Sequence, residues 1–260
     1  MLGLEDRIAL VTGAARGVGE TIARRLAEAG ARVVVADRLE EEGRKVALGL
    51  GPNASFVPLD VTVETDWARA IADTLERHGR IDVLVNNAAI LHMGSLENTP
   101  PDVFRRVLEV NTVGPYLGTR AVLAAMRSQG KGSIVHIASI DGLLGMNGVT
   151  AYATSKFGLR GFAKSCALEL GRSGIRVNSV CPAGGNPQMY GPWLPKMASM
   201  TETLRHYGEN RGIPGTVSFD AIAGAVLYLA SDLSEHVTGI DLPVDGGATA
   251  GKYLDGFSSL

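Results

Sequence analysis

Two side chains, Tyr152 and Lys156, are spaced so that they could act together in proton transfer. A spacing of four residues places both on one face of a helix. A free tyrosine titrates near pH ~10, too high for a base at neutral pH, and a cation beside it favours the phenolate. The pair therefore predicts a general acid–base group. The alternative is a coincidence on a solvated helix face, because Y-x-x-x-K is a common pattern.

Two further residues favour the acid–base interpretation. Ser139 lies 13 positions before Tyr152, at the end of a predicted strand, where its hydroxyl can reach a substrate oxygen. Asn111 lies four positions before Pro115 in a predicted helix, and proline has no N–H to donate to the carbonyl of residue 111. We therefore expect this carbonyl to be free to bind a water molecule. An ordinary proline kink is the alternative.

A glycine-rich segment follows the first predicted strand and leads directly into a helix. Gly13 permits a tight turn. Gly17 and Gly19 lack the Cβ atoms that would keep backbone amides and the helix N-terminus away from a pyrophosphate. The spacing G-x-x-x-G-x-G differs from the commoner G-x-G-x-x-G, so the general dinucleotide-binding pattern fits in its mechanism only. A purely structural turn is the alternative.

The second predicted strand ends at Asp37, which lies 18 positions after Gly19. A carboxylate there can accept both hydroxyls of an adenosine ribose and would repel a 2′-phosphate. Arg16 and Arg38 could instead hold that phosphate, and a helix N-cap is a further alternative for Asp37. Because arginines can turn to solvent, we give the carboxylate more weight. The sequence therefore predicts NAD as the cofactor.

The ends of the third and fourth predicted strands carry residues suited to the rest of a dinucleotide. Asp60, followed by Val61, offers a polar side chain to an adenine edge. Asn87, Ala88 and Ala89 follow the fourth strand, where small side chains let a cofactor approach the backbone. Each group alone would be ordinary turn chemistry.

These residues follow short, continuously apolar runs that alternate with amphipathic stretches. Such runs are typical of strands in a sheet that is covered on both faces. The alternation predicts a single α/β domain with a doubly wound (Rossmann-type), mainly parallel seven-stranded sheet and helices on both faces. We predict strands at residues 8–12, 33–37, 55–59, 83–86, 133–139, 176–181 and 240–244, and helices that include residues 20–29, 66–78, 101–126 and 152–170.

The composition argues against several other classes of protein. The chain of 260 residues has a net charge of −2, so we expect no nucleic-acid or membrane partner. Its apolar stretches are shorter than the ~20 residues that span a bilayer, and no basic and then apolar leader begins it. The two cysteines predict reduced core thiols, and the five histidines show no metal-ligand spacing. We expect a cytoplasmic protein with one domain over residues 1–260 and no metal site.

Together these motifs resemble those of the short-chain dehydrogenase/reductase family, from about residue 4 to residue 247. The resemblance implies that Tyr152 exchanges a proton with the substrate oxygen and that Ser139 hydrogen-bonds that oxygen. Lys156 would hold the nicotinamide ribose and lower the tyrosine pKa, and Asn111 would position a water leading from Lys156 to solvent. The implied NAD-binding residues are Gly13, Arg16, Gly17, Val18, Gly19, Asp37, Arg38, Asp60, Val61, Asn87, Ala88, Ala89, Tyr152, Lys156, Pro182 and Gly185.

The sequence departs from the family pattern in two places. Ala89 takes the place of a glycine after the fourth strand. After the sixth strand, Ala183 takes the place of a glycine, and Pro187 that of the threonine that binds the nicotinamide amide. Pro187 has no hydroxyl, so this contact is lost or passes to Asn186 or to backbone near Gly185.

Residues 188–213 occupy the place of the family's substrate lid and are rich in methionine and aromatic side chains. They predict an apolar pocket for a small alcohol or ketone, although they could simply pack the lid onto the body. Further motifs, at residues 59–62, 90–94 and 161–171, resemble those of bacterial 3α(20β)-hydroxysteroid dehydrogenases, which implies a steroid or another bulky alicyclic substrate. A smaller ketone, a sugar or a 3-oxoacyl substrate is the alternative.

The helices at residues 101–126 and 152–170 resemble those through which family members pair, which implies a homotetramer. A non-catalytic dinucleotide sensor would keep the fold without needing the tyrosine–lysine pair. A serine hydrolase would need a G-x-S-x-G segment, which the sequence lacks. We therefore expect an NAD-dependent alcohol dehydrogenase or ketoreductase.

Overall fold

A computed structural model of the chain describes residues 3–184 and 187–254. Within these ranges seven strands form one sheet in the order β3-β2-β1-β4-β5-β6-β7, and every neighbouring pair is parallel. The order reverses direction between β1 and β4, which gives the doubly wound topology. The strands are β1 Ile8–Thr12, β2 Arg32–Asp37, β3 Ala54–Pro58, β4 Val83–Asn86, β5 Gly132–Ile137, β6 Ile175–Pro182 and β7 Asp241–Val244.

Helices cover both faces of this sheet. The α-helices are α1 Gly17–Glu28, α2 Glu40–Leu50, α3 Glu64–His78, α4 Pro101–Leu108, α5 Gly114–Gln129, α6 Thr150–Leu170, α7 Pro187–Tyr190, α8 Leu194–Met197, α9 Thr201–Glu209 and α10 Phe219–Ala230. Helices α1 and α10 pack on the face that carries Val33 and Val35, whereas α3, α5 and α6 pack on the face that carries Val34. Successive residues of β2 therefore enter opposite cores, which explains why this strand is continuously apolar.

The predicted fold, a single Rossmann-type domain, is confirmed. The predicted strands at residues 8–12 and 83–86 coincide with β1 and β4, and most other strand bounds differ by a single residue. The strand predicted to end at Ser139 ends at Ile137. The reason is that Ser139 starts a 3₁₀ turn, Ile140–Gly142, in which its hydroxyl accepts the N–H of Asp141 at 3.1 Å.

The helix predicted over residues 101–126 is interrupted. A π-helical segment, Glu109–Val113, joins α4 to α5, and the N–H of Gly114 donates to the carbonyl of Glu109. Bonds of this type join residues five apart, so the missing N–H of Pro115 does not by itself decide whether the Asn111 carbonyl is free. The water-binding role of that carbonyl stays a prediction.

The described part of the chain also bears on membranes, metals and thiols. None of its helices is both long enough and apolar enough to cross a bilayer. Within the same residues, no group of three or more His, Cys, Asp or Glu side chains is arranged to hold a metal ion. Cys166 and Cys181 are buried and free.

Candidate active site

A cleft opens at the carboxyl ends of the strands, where the ends of β1 and β4 lie side by side. This is the edge of a doubly wound sheet at which ligands bind. Gly185 and Asn186 lie outside the described residues. The predicted cofactor residues that line the cleft are Gly13, Arg16, Val18, Asp37, Arg38, Asp60, Val61, Asn87, Ala88, Ala89, Tyr152, Lys156 and Pro182.

The glycine turn after β1 is held against the end of β4. Thr12 Oγ1 accepts the backbone N–H of Asn87 at 3.0 Å and that of Ala88 at 3.1 Å. Asn87 Nδ2 donates to the carbonyls of Thr12 at 2.9 Å and Gly13 at 3.1 Å. Gly13 has a φ of +64°, and a Cβ there would lie 2.8 Å from Cα of Ala88. A side chain at this position would therefore meet both backbone strain and a collision.

Gly17 and Gly19 begin α1 and do not line the cleft. A Cβ on Gly19 would collide with the carbonyl oxygen of Gly13 and lie 2.5 Å from Nδ2 of Asn87. We expected the missing Cβ atoms of Gly17 and Gly19 to make room for a pyrophosphate. At Gly19 the missing Cβ instead makes room for the turn that precedes the helix. The first N–H groups of α1 have no partner within the helix, and the neighbouring Arg16 lines the cleft, so this end could still bind an anion.

Asp37, at the end of β2, is 9% exposed and held by backbone donors. Its Oδ2 accepts the N–H of Ala15 at 3.0 Å, and its Oδ1 accepts the N–H of Leu39 at 3.0 Å. Each carboxylate oxygen can accept a further hydrogen bond, so Asp37 could bind ribose hydroxyls without leaving its place. Arg16 and Arg38, which line the same cleft, are exposed.

Asp60 follows β3 and forms a polar corner of the cleft. Its Oδ1 accepts the backbone N–H of Thr62 at 2.9 Å and the Thr62 hydroxyl at 2.7 Å. Burial acts to raise the pKa of Asp60, but these hydrogen bonds and the charges of Arg106 and Arg38 bring it below its ordinary value. The carboxyl group is therefore ionised at neutral pH and could accept a hydrogen bond from an adenine amino group.

Tyr152 and Lys156 lie on α6 and face the same cleft. Lys156 is 2% exposed. Its Nζ donates to the carbonyl of Ile137 at 2.8 Å and lies 5.5 Å from the centroid of the Tyr152 ring. Burial lowers the pKa of Lys156 to about 8. An ammonium group has three N–H donors, so it could bind a ribose while keeping the Ile137 contact.

The environment of the Tyr152 phenol differs from the expectation. Burial and then the carboxylate of Asp141 and the phenol of Tyr190 raise the pKa of Tyr152, against the opposite effect of a hydrogen bond with Ser139. The lowering of this pKa by Lys156, which would make a phenolate available for proton transfer, stays a prediction. Tyr152 is protonated at neutral pH in this environment, and Ser139 is in hydrogen-bond contact with it.

Asn111 is fully buried in the π-helical segment and fixes the base of the site. Its Oδ1 accepts the N–H of Ile90 at 2.8 Å, and its Nδ2 donates to the Ile90 carbonyl at 2.9 Å and to Ser155 Oγ at 3.0 Å. Ser155 donates in turn to the carbonyl of Tyr152 at 2.6 Å. The Asn111 side chain thus ties the segment after β4 to α6. Sequence reasoning missed Ser155, although it lies next to Lys156.

The cleft also contains residues that the sequence analysis did not assign to it. Most are chain neighbours of predicted residues, so the strand ends themselves could have indicated them. Arg106 and Ile222 come from helices α4 and α10, and no motif marks them. The added lining residues are Leu39, Leu59, Ile90, Arg106, Val110, Ile137, Ala138, Gly184, Gln188, Met189 and Ile222.

Comparison with known proteins yields matches over nearly the whole chain. Residues 13–249 match the family model described as enoyl-(acyl carrier protein) reductase. The chain is 41% identical over 257 residues to 3-alpha-(or 20-beta)-hydroxysteroid dehydrogenase of Mycobacterium bovis, a match covering 99% of this chain and 95% of that protein. It is 41% identical over 258 residues to trans-4-hydroxycyclohexanecarboxylate dehydrogenase of Sinomonas cyclohexanicum, covering 96% and 95%.

A solved structure supports the same assignment. A gluconate 5-dehydrogenase from Burkholderia cenocepacia, in complex with NADP and tartrate, matches with a TM-score of 0.89 and 33% identity over 96% of this chain and 98% of that chain. These proteins are named as dehydrogenases, and the matches cover nearly the whole chain. On these grounds the chain belongs to the short-chain dehydrogenase/reductase family.

Proposed function

We propose that this protein is an NAD-dependent alcohol dehydrogenase/ketoreductase that interconverts a secondary alcohol and a ketone, with a hydroxysteroid or another bulky alicyclic compound as substrate. The observation that carries the proposal is that Tyr152 and Lys156 line one cleft and that Ser139 is in hydrogen-bond contact with Tyr152. A phenol, an ammonium group and a hydroxyl in contact have no use in a sensor, but together they can hold and move a proton.

Tyr152 moves that proton in the proposed mechanism. During oxidation its phenolate takes the proton of the substrate hydroxyl, and during reduction the phenol returns it to the carbonyl oxygen. Ser139 holds the same oxygen by a hydrogen bond, and Lys156 holds the ribose next to it. NAD, when bound beside these residues, would supply hydride-transfer chemistry. Ser155 and Asn111 keep the α6 backbone at Tyr152 in place.

The preference for NAD rests on Asp37. Because Ala15 and Leu39 each donate an N–H to its carboxylate, Asp37 cannot swing away to admit a 2′-phosphate without losing both contacts. Arg16 and Arg38 are exposed and can remain in solvent. The gluconate 5-dehydrogenase holds NADP, so the fold does not exclude NADP, and we assign the choice between the coenzymes to the residue at the end of β2.

The substrate class rests on the apolar segments around the site. The N–H of Gly94 donates to the carbonyl of Gly148 at 2.9 Å, and the ring of His92 meets that of Trp193 edge-on at 5.2 Å. These contacts bring the segments after β4, before α6 and after β6 together. Exposed apolar side chains on them are Leu96, Leu144, Met146, Leu194 and Met200. Exposed apolar side chains beside the site suit a bulky uncharged ring system. The two relatives are named for alicyclic substrates.

A substrate panel tests the proposal. The purified protein is mixed with NAD and, separately, with 3α- and 20β-hydroxysteroids, cyclohexanol, gluconate and a 3-hydroxyacyl thioester, and NADH formation is followed by absorbance. We expect the highest kcat/KM with the steroids or the cyclic alcohol. A highest value with the thioester or gluconate would contradict the substrate class. If the protein bound NAD and oxidised none of these compounds, the hypothesis of a non-catalytic dinucleotide sensor would replace the hypothesis of an enzyme.

A further inference from the structure

A carboxyl group lies against the Ser139 hydroxyl, where the proposed mechanism gives it no role. Asp141 Oδ2 lies 3.2 Å from Ser139 Oγ, which donates to it. The backbone N–H of Asp141 donates to the same Ser139 Oγ at 3.1 Å. Asp141 is partly buried in the 3₁₀ turn that follows β5. The carboxyl group therefore has a fixed approach to Ser139 and is not a mobile surface charge.

The number of hydrogen bonds that Ser139 can form makes this contact consequential. A serine hydroxyl has one proton to donate and can accept two hydrogen bonds. The Asp141 N–H takes one accepting position. The Tyr152 phenol contacts the same hydroxyl in the free protein, and it would leave the second accepting position when it donates to a bound substrate oxygen instead. An ionised Asp141 carboxylate can only accept, so it accepts the single hydrogen bond that Ser139 can donate and leaves none for a substrate oxygen. A protonated carboxyl group can donate to Ser139 instead, and the Ser139 proton then becomes available to the substrate.

We propose that Asp141 is a positioning residue that turns the Ser139 hydroxyl, so that the substrate oxygen receives the Ser139 hydrogen bond only while the Asp141 carboxyl group is protonated. The inference rests on the proposed function, since it acts on the oxygen that Tyr152 and Ser139 are assigned to hold. It adds a pH-dependent control to the site that the serine, tyrosine and lysine alone do not provide.

The surroundings of Asp141 place its titration above that of an exposed aspartate. Burial raises the pKa of Asp141, against the opposing effects of the Ser139 hydrogen bond and the Lys156 charge. Arg160 also binds the Gly142 carbonyl of the same turn. The titratable and charged groups around the turn are Tyr152, Lys156 and Arg160 of α6, Cys181 of β6 and Tyr190 of α7.

Ketone reduction tests the inference, because a carbonyl oxygen has no proton of its own and depends on its donors. We would measure kcat/KM for the ketone at saturating NADH from about pH 4, near the titration of an exposed aspartate, up to about pH 9. The wild type should lose activity as pH rises through the Asp141 titration. Asp141→Asn has an amide that can donate to Ser139 at every pH, so this loss should be absent. At alkaline pH the variant should exceed the wild type roughly three- to tenfold, the effect of one neutral hydrogen bond.

Two controls separate this role from others. The first control is Asp232→Asn, which removes a carboxylate that pairs with Arg7 and Lys131. These two residues precede β1 and β5, so the pair lies at the opposite edge of the sheet from the site. This variant should keep the wild-type dependence of kcat/KM on pH. In a Ser139→Ala background, Asp141→Asn should cause no further change, because the effect passes through Ser139. Asp141→Ala, with folding checked by circular dichroism, should also lack the pH-dependent loss.

A loss of reduction that persists unchanged in Asp141→Asn and Asp141→Ala would overturn the inference. An equally large effect of Asp141→Asn in the Ser139→Ala background would also overturn it, since Asp141 would then act directly on the phenol. These outcomes are distinct from failure of the proposed function. That failure would appear as undiminished turnover in Tyr152→Phe, whatever the profile of the Asp141 variants.

Discussion

The protonation states of single side chains depend on contacts that sequence spacing does not reveal. The four-residue interval between Tyr152 and Lys156 indicates that they share a helix face, and they do. Burial nevertheless lowers the pKa of Lys156 to about 8 and raises that of Tyr152. Desolvation depends on everything packed around a group, including the Ile137 carbonyl that accepts a hydrogen bond from Lys156. The pair was therefore predictable, but the direction of the tyrosine shift was not.

We predict that one residue, Asp37, determines the choice between NAD and NADP. Asp37→Ser should raise kcat/KM with NADP relative to NAD by about tenfold or more, because the buried carboxylate that repels a 2′-phosphate is gone and Arg38 is adjacent. The ratio of the two kcat/KM values before and after the change is the measurement. Thermal unfolding serves as the control, since Ala15 and Leu39 lose their acceptor. A wild-type preference for NADP would show that Asp37 does not select the coenzyme.

At the scale of elements, the strands were the most predictable part. Continuous apolar runs such as Val33–Val35 could be assigned because each residue is buried on one face or the other. The π-helical segment Glu109–Val113 had no such signal, and the contacts that its Asn111 makes with Ile90 and Ser155 join parts of the chain that are distant in sequence. The packing role of Gly19 could not be predicted from the sequence either, because only the folded turn brings the Gly13 carbonyl close to Gly19.

Gly19 yields a prediction about the start of α1. Gly19→Ala should destabilise the protein by about 1–3 kcal/mol and weaken NAD binding, because a Cβ there collides with the Gly13 carbonyl and with Asn87. Gly49→Ala, in α2, is the matched control, since a Cβ there meets nothing within 4 Å. It should stabilise the helix by about 0.5–1 kcal/mol. Equal denaturation midpoints for the two variants would contradict this role of Gly19.

At the scale of the whole molecule, His136 links stability to pH. It is fully buried on β5, and Asn86 Nδ2 lies 3.2 Å from its Nδ1. Burial, with a further effect of the Lys156 charge, lowers the pKa of His136 to about 3. In the unfolded chain His136 binds a proton below about pH 6.5, whereas in the folded protein it stays neutral down to about pH 3. The folded state is therefore most stable, with respect to this group, above about pH 6.5 and loses free energy of unfolding as the pH falls toward 3. At pH ~5 the loss is about 2 kcal/mol.

The measurement is the free energy of unfolding in urea at pH ~7 and pH ~5 and at one protein concentration. His136→Gln should lose about 2 kcal/mol less than the wild type between these two pH values, because the replacement does not titrate. His236→Gln is the control, since His236 has a side chain that is 96% exposed. An equal loss in His136→Gln and the wild type would show that His136 does not cause the acid sensitivity.

Assembly is the other prediction at this scale. Tyr116 of α5 and Phe157 and Leu168 of α6 are exposed large apolar side chains on the helices through which the family resemblance implies pairing. We expect a homotetramer in light scattering, with about four times the chain mass of 27.3 kDa. The Leu168 side chain is 85% exposed in the single chain. Leu168→Lys places a charge on this helix face and should shift the protein to assemblies smaller than a tetramer. A wild-type monomer at micromolar concentration would contradict the prediction.

The central claim, that Tyr152 transfers the proton, is tested most directly by Tyr152→Phe at saturating NAD. The change removes one hydroxyl and little volume, so circular dichroism and NAD affinity should match the wild type. Turnover of the best alcohol should fall by about 10²–10⁴-fold, the usual contribution of a general acid–base group. If the folded variant kept more than about a tenth of wild-type turnover, the proton would be moved by another group and the assignment of this site would be wrong.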